Sequence, residues 1–296
     1  MAQEKTPGVH HRLHLFNSLK ATQLLRPKIV SQQPMYVENR KAEKEIENQI
    51  KAERNRYQQA ILADIRSRMT KEQIRGNDVA QMKGASAWLT SLPLKEEGFV
   101  LNKREFFDAL YLRYRWDLKR LPINCACNKK FDMDHAMNCN TGGYIIRRHD
   151  RLRDLFAELL NQNGVANGVG TEPGLQPLTG EELQPGSNLE NEARLDIAAR
   201  GFWQECEMAF FDVRVFNPFA KSHLRNTLDS VSRKNEKEKK DEYNDRVIQV
   251  EHGTFTPIVV SALGGYGHET GRFVSKLIQK ISDKKSMEQS EDKSFF

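Results

Sequence analysis

Cysteine is scarce in this 296-residue sequence, with four residues at positions 125, 127, 139 and 206. So few thiols exclude a disulfide-built scaffold. Grouped three to one, they read as metal ligands before they read as a redox pair. No run approaches the ~20 apolar residues that a bilayer-crossing helix needs. The opening MAQEKTPGVHHRLH lacks the apolar stretch of a secretory signal. The expectation is an intracellular protein, nuclear or cytoplasmic, neither secreted nor held in a membrane. No internal repeat is present, which excludes solenoids and propellers.

What is present is a polar chain with enough apolar residues for a core, 38% hydrophobic and 29% charged, of a length that suits one or two domains. The net charge of +6 is uneven. Residues 1–76 hold 15 Lys and Arg against 8 Asp and Glu, so the remaining 220 residues net −1. A basic arm on a near-neutral body suggests a polyanion partner, nucleic acid above all. A lysine-rich, merely solvated helix is the alternative reading of the same charge.

Residues 38–74 have helical periodicity, with Ile46, Ile50, Tyr57, Ile61 and Ile65 forming one stripe, and Gly76-Asn77-Asp78 reads as the break. KREFFDALYLRYRW (103–116) predicts a second helix whose aromatic face is core, with Trp88 and Leu89 packed on it. RRHDRLRDLFAELLNQ (147–162) is a third, closed by Asn163-Gly164. A short strand around 169–172 follows, then RLDIAA and FFDVRVF as two further strands. SRKNEKEKKDEYNDRVIQVEH (232–252) reads as an exposed, charge-laced helix. FTPIVVSAL is a buried strand, GHETGRFVSKLIQKI an amphipathic helix behind it, and the last residues look disordered. Helices alternating with strands from 147 onward predict an α/β sheet with flanking helices.

Cys125, Cys127, His135 and Cys139 are separated by one, seven and three residues. Zinc favours four nitrogen or sulfur ligands arranged as two close pairs. The Cys-x-Cys pair and the His-x3-Cys pair, the latter on one helix face, meet that demand. Four protein ligands would make the site structural. The competing reading is three reduced thiols beside a chance histidine.

Asp196 and Asp212 sit in otherwise apolar strands. If those strands pair antiparallel, both carboxylates lie on one face, where Mg²⁺ or Mn²⁺ can be held for phosphodiester hydrolysis. Ion pairs with Arg194 and Arg214 are the alternative. Lys237, Lys239 and Lys240 offer a cation for such chemistry, with Tyr243 one turn on, and Glu158 or Glu172 offers a third carboxylate.

In order, CACNKKFDMDHAMNC, RRHD, RLD, FFDVRV, KKDEY and FTPIVVSALGG resemble the C-terminal region of non-LTR retrotransposon polyproteins, over roughly residues 84–280. There a Cys-Cys-His-Cys zinc motif precedes a restriction-like endonuclease of the PD-(D/E)XK type. The resemblance implies an N-terminal helical basic region (1–118), the zinc motif (119–145), a restriction-endonuclease-like mixed sheet with flanking helices (146–282) and a tail (283–296). It implies a DNA endonuclease acting on DNA, or on RNA or an RNA–DNA hybrid, with Asp196 and Asp212 as magnesium or manganese ligands. Leu195 stands where the family has proline, and Arg214 where it has lysine. The substitute lysine is then Lys240 or Lys237, with Tyr243, while Arg148, His149 and Arg214 are candidate nucleic-acid contacts. No reverse-transcriptase signature is present. A catalytically inactive, zinc-bearing binding protein is the other outcome the resemblance allows.

Overall fold

The computed structural model describes residues 34–95, 100–116 and 121–294. Two compact units divide the chain at Met69/Thr70. In the first, α1 (Pro34–Ser67) is a single long helix, and the stripe from Ile46 to Ile65 stays exposed.

The helix break comes earlier than Gly76-Asn77-Asp78. Thr70 starts a new helix, α2 (Lys71–Gln81), through a capping box. Its hydroxyl accepts from Gln73 N–H at 3.2 Å, and Gln73 Oε1 accepts from Thr70 N–H at 2.9 Å. Gly76 is tolerated mid-helix because a Cβ there would sit 3.3 Å from Arg115 Cγ. Buried Arg75 ties α2 down by donating to the carbonyls of Pro218, Asn226 and His223.

α3 (Ala87–Thr90) and α4 (Lys103–Tyr114) follow, with Trp88 edge-on to Phe106 at 5.8 Å. The aromatic face of α4 is not core, since Phe106 and Phe107 remain exposed. α5 (Met133–Asn138) belongs to the cysteine cluster, and α6 (Tyr144–Asn161) leads into the sheet.

The four strands β1 (Asn167–Thr171), β2 (Ile197–Arg200), β3 (Met208–Phe216) and β4 (Thr254–Ser261) lie in the order β1-β2-β3-β4. The first three are antiparallel and β4 runs parallel to β3. A parallel neighbour requires a crossover, supplied by α7 (Leu228–Arg246). α8 (His268–Ser294) closes the fold, so helices flank a small mixed sheet.

Along α6, Leu152, Phe156 and Leu160 fall on the 3–4 spacing and pack with Phe202, Phe211, Ile258 and Phe273 on one face of the sheet. Leu155 falls off the stripe and is exposed. α8 runs to Ser294 through residues read as a tail, because SDKKSMEQSEDKS has no Gly or Pro and is rich in helix formers.

α7 departs most from its expected exposed character. Asn235, Glu236, Tyr243 and Arg246 are buried. Arg246, with 0% exposure, donates to the carbonyls of Asn188, Glu190 and Gln176. The helix buries a polar stripe that hydrophobic periodicity does not register.

Candidate metal centre and acid pair

Residues 123–131 form a tight hairpin. Asn124 and Lys130 bridge, Phe131 N–H donates to Ile123 C=O at 3.0 Å, and Cys125 N–H donates to Lys129 C=O at 2.8 Å. Asn128 turns the chain at φ 63°, in the left-handed region that asparagine tolerates. Cys125 and Cys127 therefore project from one hairpin. α5 supplies the second pair. Asp132 caps it by accepting from His135 N–H at 2.8 Å, and Cys139 ends it with its N–H on His135 C=O at 2.8 Å.

The four ligand atoms of Cys125, Cys127, His135 and Cys139 all lie within 4.8 Å of one another. Zn–S bonds of about 2.3 Å in a tetrahedron set an S···S edge of about 3.8 Å. The Cys125 and Cys139 sulfurs are 3.7 Å apart, and Cys127 Sγ lies 3.2 Å from His135 Nε2. The donor set and its spacing fit a structural zinc ion, with all four positions filled by protein.

Two arginines fasten this element to the rest of the unit. Arg115 makes two 3.2 Å hydrogen bonds to the Asp134 carboxylate and stacks 4.1 Å from the Phe219 ring centroid. Arg148, on α6, donates to Met137 C=O at 3.3 Å.

The two aspartates sit at the end of the β2–β3 ladder. The register Ile197↔Phe211, carried one residue further, sets Asp196 opposite Asp212. Asp196 keeps main-chain bonds, its N–H donating to Phe211 C=O at 3.1 Å, and its side chain adds to the ladder. Asp196 Oδ2 accepts from Val213 N–H at 2.5 Å, while His149 Nε2 lies 3.2 Å from Asp196 Oδ2 and 3.0 Å from Val213 C=O. His149 Nδ1 is 3.4 Å from Asp150. Every neighbour is an acceptor, so the doubly protonated imidazolium fits best. Hydrogen bonding to Asp196 pushes the His149 pKa up to about 9.

A histidine pKa raised on folding contributes stability that is complete below its unfolded value near 6.5 and is lost as pH rises through 9. With 32% of the ring exposed, the expected loss is on the order of 1–2 kcal/mol. Thermal midpoints from pH 6.5 to 9.5 should fall in the parent and stay flatter in His149→Gln. Parallel curves would rule out this linkage.

Asp212 is buried, and burial foremost, with Asp196 and Glu242 adding, raises its pKa to about 6 against the opposing pull of Lys239. Lys239 Nζ is 3.1 Å from Asp212 Oδ2 and 3.3 Å from Glu242. The contact with Asp212 is a close ion pair that falls short of a directed hydrogen bond, leaving Oδ2 buried without one. The ion pair holds without the directed bond, because charge attraction is less directional than a hydrogen bond.

The lysine that meets the acid pair is Lys239. Lys240 turns to Glu269 at 2.8 Å, and exposed Lys237 lines a separate cleft with Arg233 and Glu269. One helical turn before Tyr243, Lys239 is the one of the three lysines that reaches the strand acid Asp212. Glu158 is nine residues beyond His149, about 13 Å along the helix axis, and accepts from Gln162 on the exposed side of α6. Glu172 comes nearer, its N–H donating to Asp196 C=O at 2.9 Å, but its side chain pairs with Arg153.

Tyr243 is core, 5.8 Å from the Phe255 ring, with Lys239 Nζ 5.2 Å from its own ring centroid. Arg214 pairs with Glu238 at 2.9 Å. Among the described residues, the Cys/His cluster is the only group of three or more metal-ligating side chains that converges. The expected magnesium or manganese site is not evident. Both carboxylates are already engaged by protein cations, His149 on Asp196 and Lys239 on Asp212.

No helix among the described residues is long and apolar enough to cross a membrane. Compared with models of protein families and with curated proteins, the sequence matches none.

Proposed function

We propose that this chain is a nucleic-acid-binding protein shaped by one structural zinc, of the kind found at the C-terminal end of non-LTR retrotransposon polyproteins but without cleavage. The Cys125/Cys127/His135/Cys139 cluster carries this reading, because its donor set and spacing fit a closed zinc site. The basic surplus of residues 1–76 and the order of motifs along the chain support a nucleic-acid partner. In place of a divalent ion, His149 and Lys239 offset the two acids. Binding to a labelled DNA oligonucleotide should weaken by tenfold or more between 50 and 200 mM salt, as counterion release demands. Absent or salt-insensitive binding would sink the proposal.

A second reading is a metal-dependent phosphodiesterase, restriction-endonuclease-like in fold, with Asp196 and Asp212 holding Mg²⁺ and Lys239 assisting. The buried Asp212 Oδ2 that lacks a directed hydrogen bond favours it. Plasmid nicking in Mg²⁺ or Mn²⁺ decides between the two. Nicking by the parent that disappears in Asp212→Ala carries the second, and no nicking by the parent carries the first.

A further inference from the structure

Between the N-terminal half of α6 and the end of β4 lies an open cavity of about 560 Å³. Its wall is built from Tyr144, Arg147, Arg148 and Arg151, which share a helix face by their three- and four-residue spacing. Leu152, Val215 and Val260 make an aliphatic floor, and no carboxylate lines it. Elsewhere on the same helix arginine is neutralised, as Arg153 is by Asp150, Asp154 and Glu172. Arg147 and Arg151 have no ion pair among the described residues, and Arg147 lies over the Tyr144 ring at 5.8 Å.

Arg148 is half-buried with one weak bond to Met137 C=O, and its buried Nε has no partner. Burial without a counter-charge lowers its pKa. Such a cation is stabilised by an anion that enters the cavity.

We infer that this cavity binds a backbone phosphate of a single nucleic-acid strand, with the attached sugar and base against the aliphatic floor and Tyr144. This rests on the nucleic-acid reading above. Three guanidinium groups suit the phosphate because each presents paired donors in a plane. An exposed tyrosine braced by an arginine offers a stacking surface of the kind single strands use, whereas a base within a duplex is already stacked. The floor explains why the ligand is a nucleotide unit rather than free phosphate, which has nothing to bury there. Arg148 links the site to the zinc element, since the carbonyl it holds belongs to the helix that carries His135.

The test is fluorescence anisotropy of the full chain with labelled 20-nucleotide single-stranded DNA, single-stranded RNA and duplex DNA. Arg147→Gln/Arg151→Gln is compared with a charge-matched control, Lys221→Gln/Arg225→Gln. Both pairs are exposed, so thermal midpoints should be unchanged. The pocket variant should lose about tenfold in single-strand affinity and show a salt slope shallower by about one, while the control loses less than threefold. Tyr144→Ala should weaken single-strand binding about fivefold and leave duplex binding intact. A preference for RNA over DNA, or the reverse, identifies the strand.

If the parent binds and the pocket variant matches the parent or the control, the cavity assignment is overturned and the nucleic-acid reading stands. If the parent binds none of the three, that reading fails and the cavity assignment with it. Equal losses on single strand and duplex in Tyr144→Ala overturn the stacking role.

Discussion

Cys139→Ser should leave the purified protein with no stoichiometric zinc, where the parent carries about one per chain, and should unfold residues 121–143 while the sheet survives. The asymmetry follows from where the apolar contacts lie. The hairpin and α5 bury one hydrophobic residue between them, Met137, whereas the sheet and the elements packed on it bring Phe202, Phe211, Ile258 and Phe273 into one cluster. A segment with so little core depends on its metal, and small zinc modules draw roughly 10–16 kcal/mol of apparent folding free energy from the ion. Arg115 on Asp134 and Arg148 on Met137 C=O hold the segment's outside, and neither closes the gap between its two ligand pairs.

Amide exchange is the direct readout. Protection should vanish at Cys125, Phe131 and Cys139, whose N–H groups bond within the element, and persist across β3 and β4. Chelation of the parent should reproduce the variant. Retained zinc in Cys139→Ser, or unchanged protection after chelation, would count against the site.

The zinc element could be read in the sequence because its ligands are chemically rare and lie within fifteen residues of one another. The strands and α6 were legible for a similar reason, since alternation and the 152/156/160 spacing record which face is buried. α7 was not. Its inward stripe of Asn235, Tyr243 and Arg246, all buried, with half-buried Lys239 consists of polar residues at helical spacing, and a polar stripe declares itself only through partners far along the chain. Arg246 finds carbonyls at 176, 188 and 190, and Lys239 finds Asp212. For that reason the sequence pattern offered Lys237, Lys239 and Lys240 alike and the family resemblance favoured Lys240 or Lys237, while the geometry brings in Lys239. His149 was singled out from the Arg-His pair, but its place on Asp196 depends on β2 beginning at Ile197, a boundary that apolar periodicity does not mark.

Asp212→Asn should raise stability at neutral pH, an outcome that distinguishes a buried charge kept for function from one kept for the fold. The native carboxyl holds its proton until about pH 6, but in the unfolded chain it releases the proton near 3.8. Between those values the native state binds more protons than the unfolded one, so the parent loses stability as pH rises from 4 to 6. The loss approaches about 3 kcal/mol for a shift of this size. Asparagine removes it, and Lys239 keeps Glu242 as a partner at 3.3 Å. The variant should therefore gain roughly 1–3 kcal/mol at pH 7 and match the parent near pH 4, a rise of several degrees in thermal midpoint for a unit of this size. Lys239→Met should move the other way by about 3–5 kcal/mol, since it strands the buried carboxylate. Magnesium then separates the two functional readings. If His149 and Lys239 are the only cations the acids meet, 10 mM Mg²⁺ leaves the midpoints of parent and Asp212→Asn equally unmoved. A midpoint that rises with Mg²⁺ in the parent and not in Asp212→Asn means that the divalent ion competes with Lys239 for Asp212, as the phosphodiesterase reading requires.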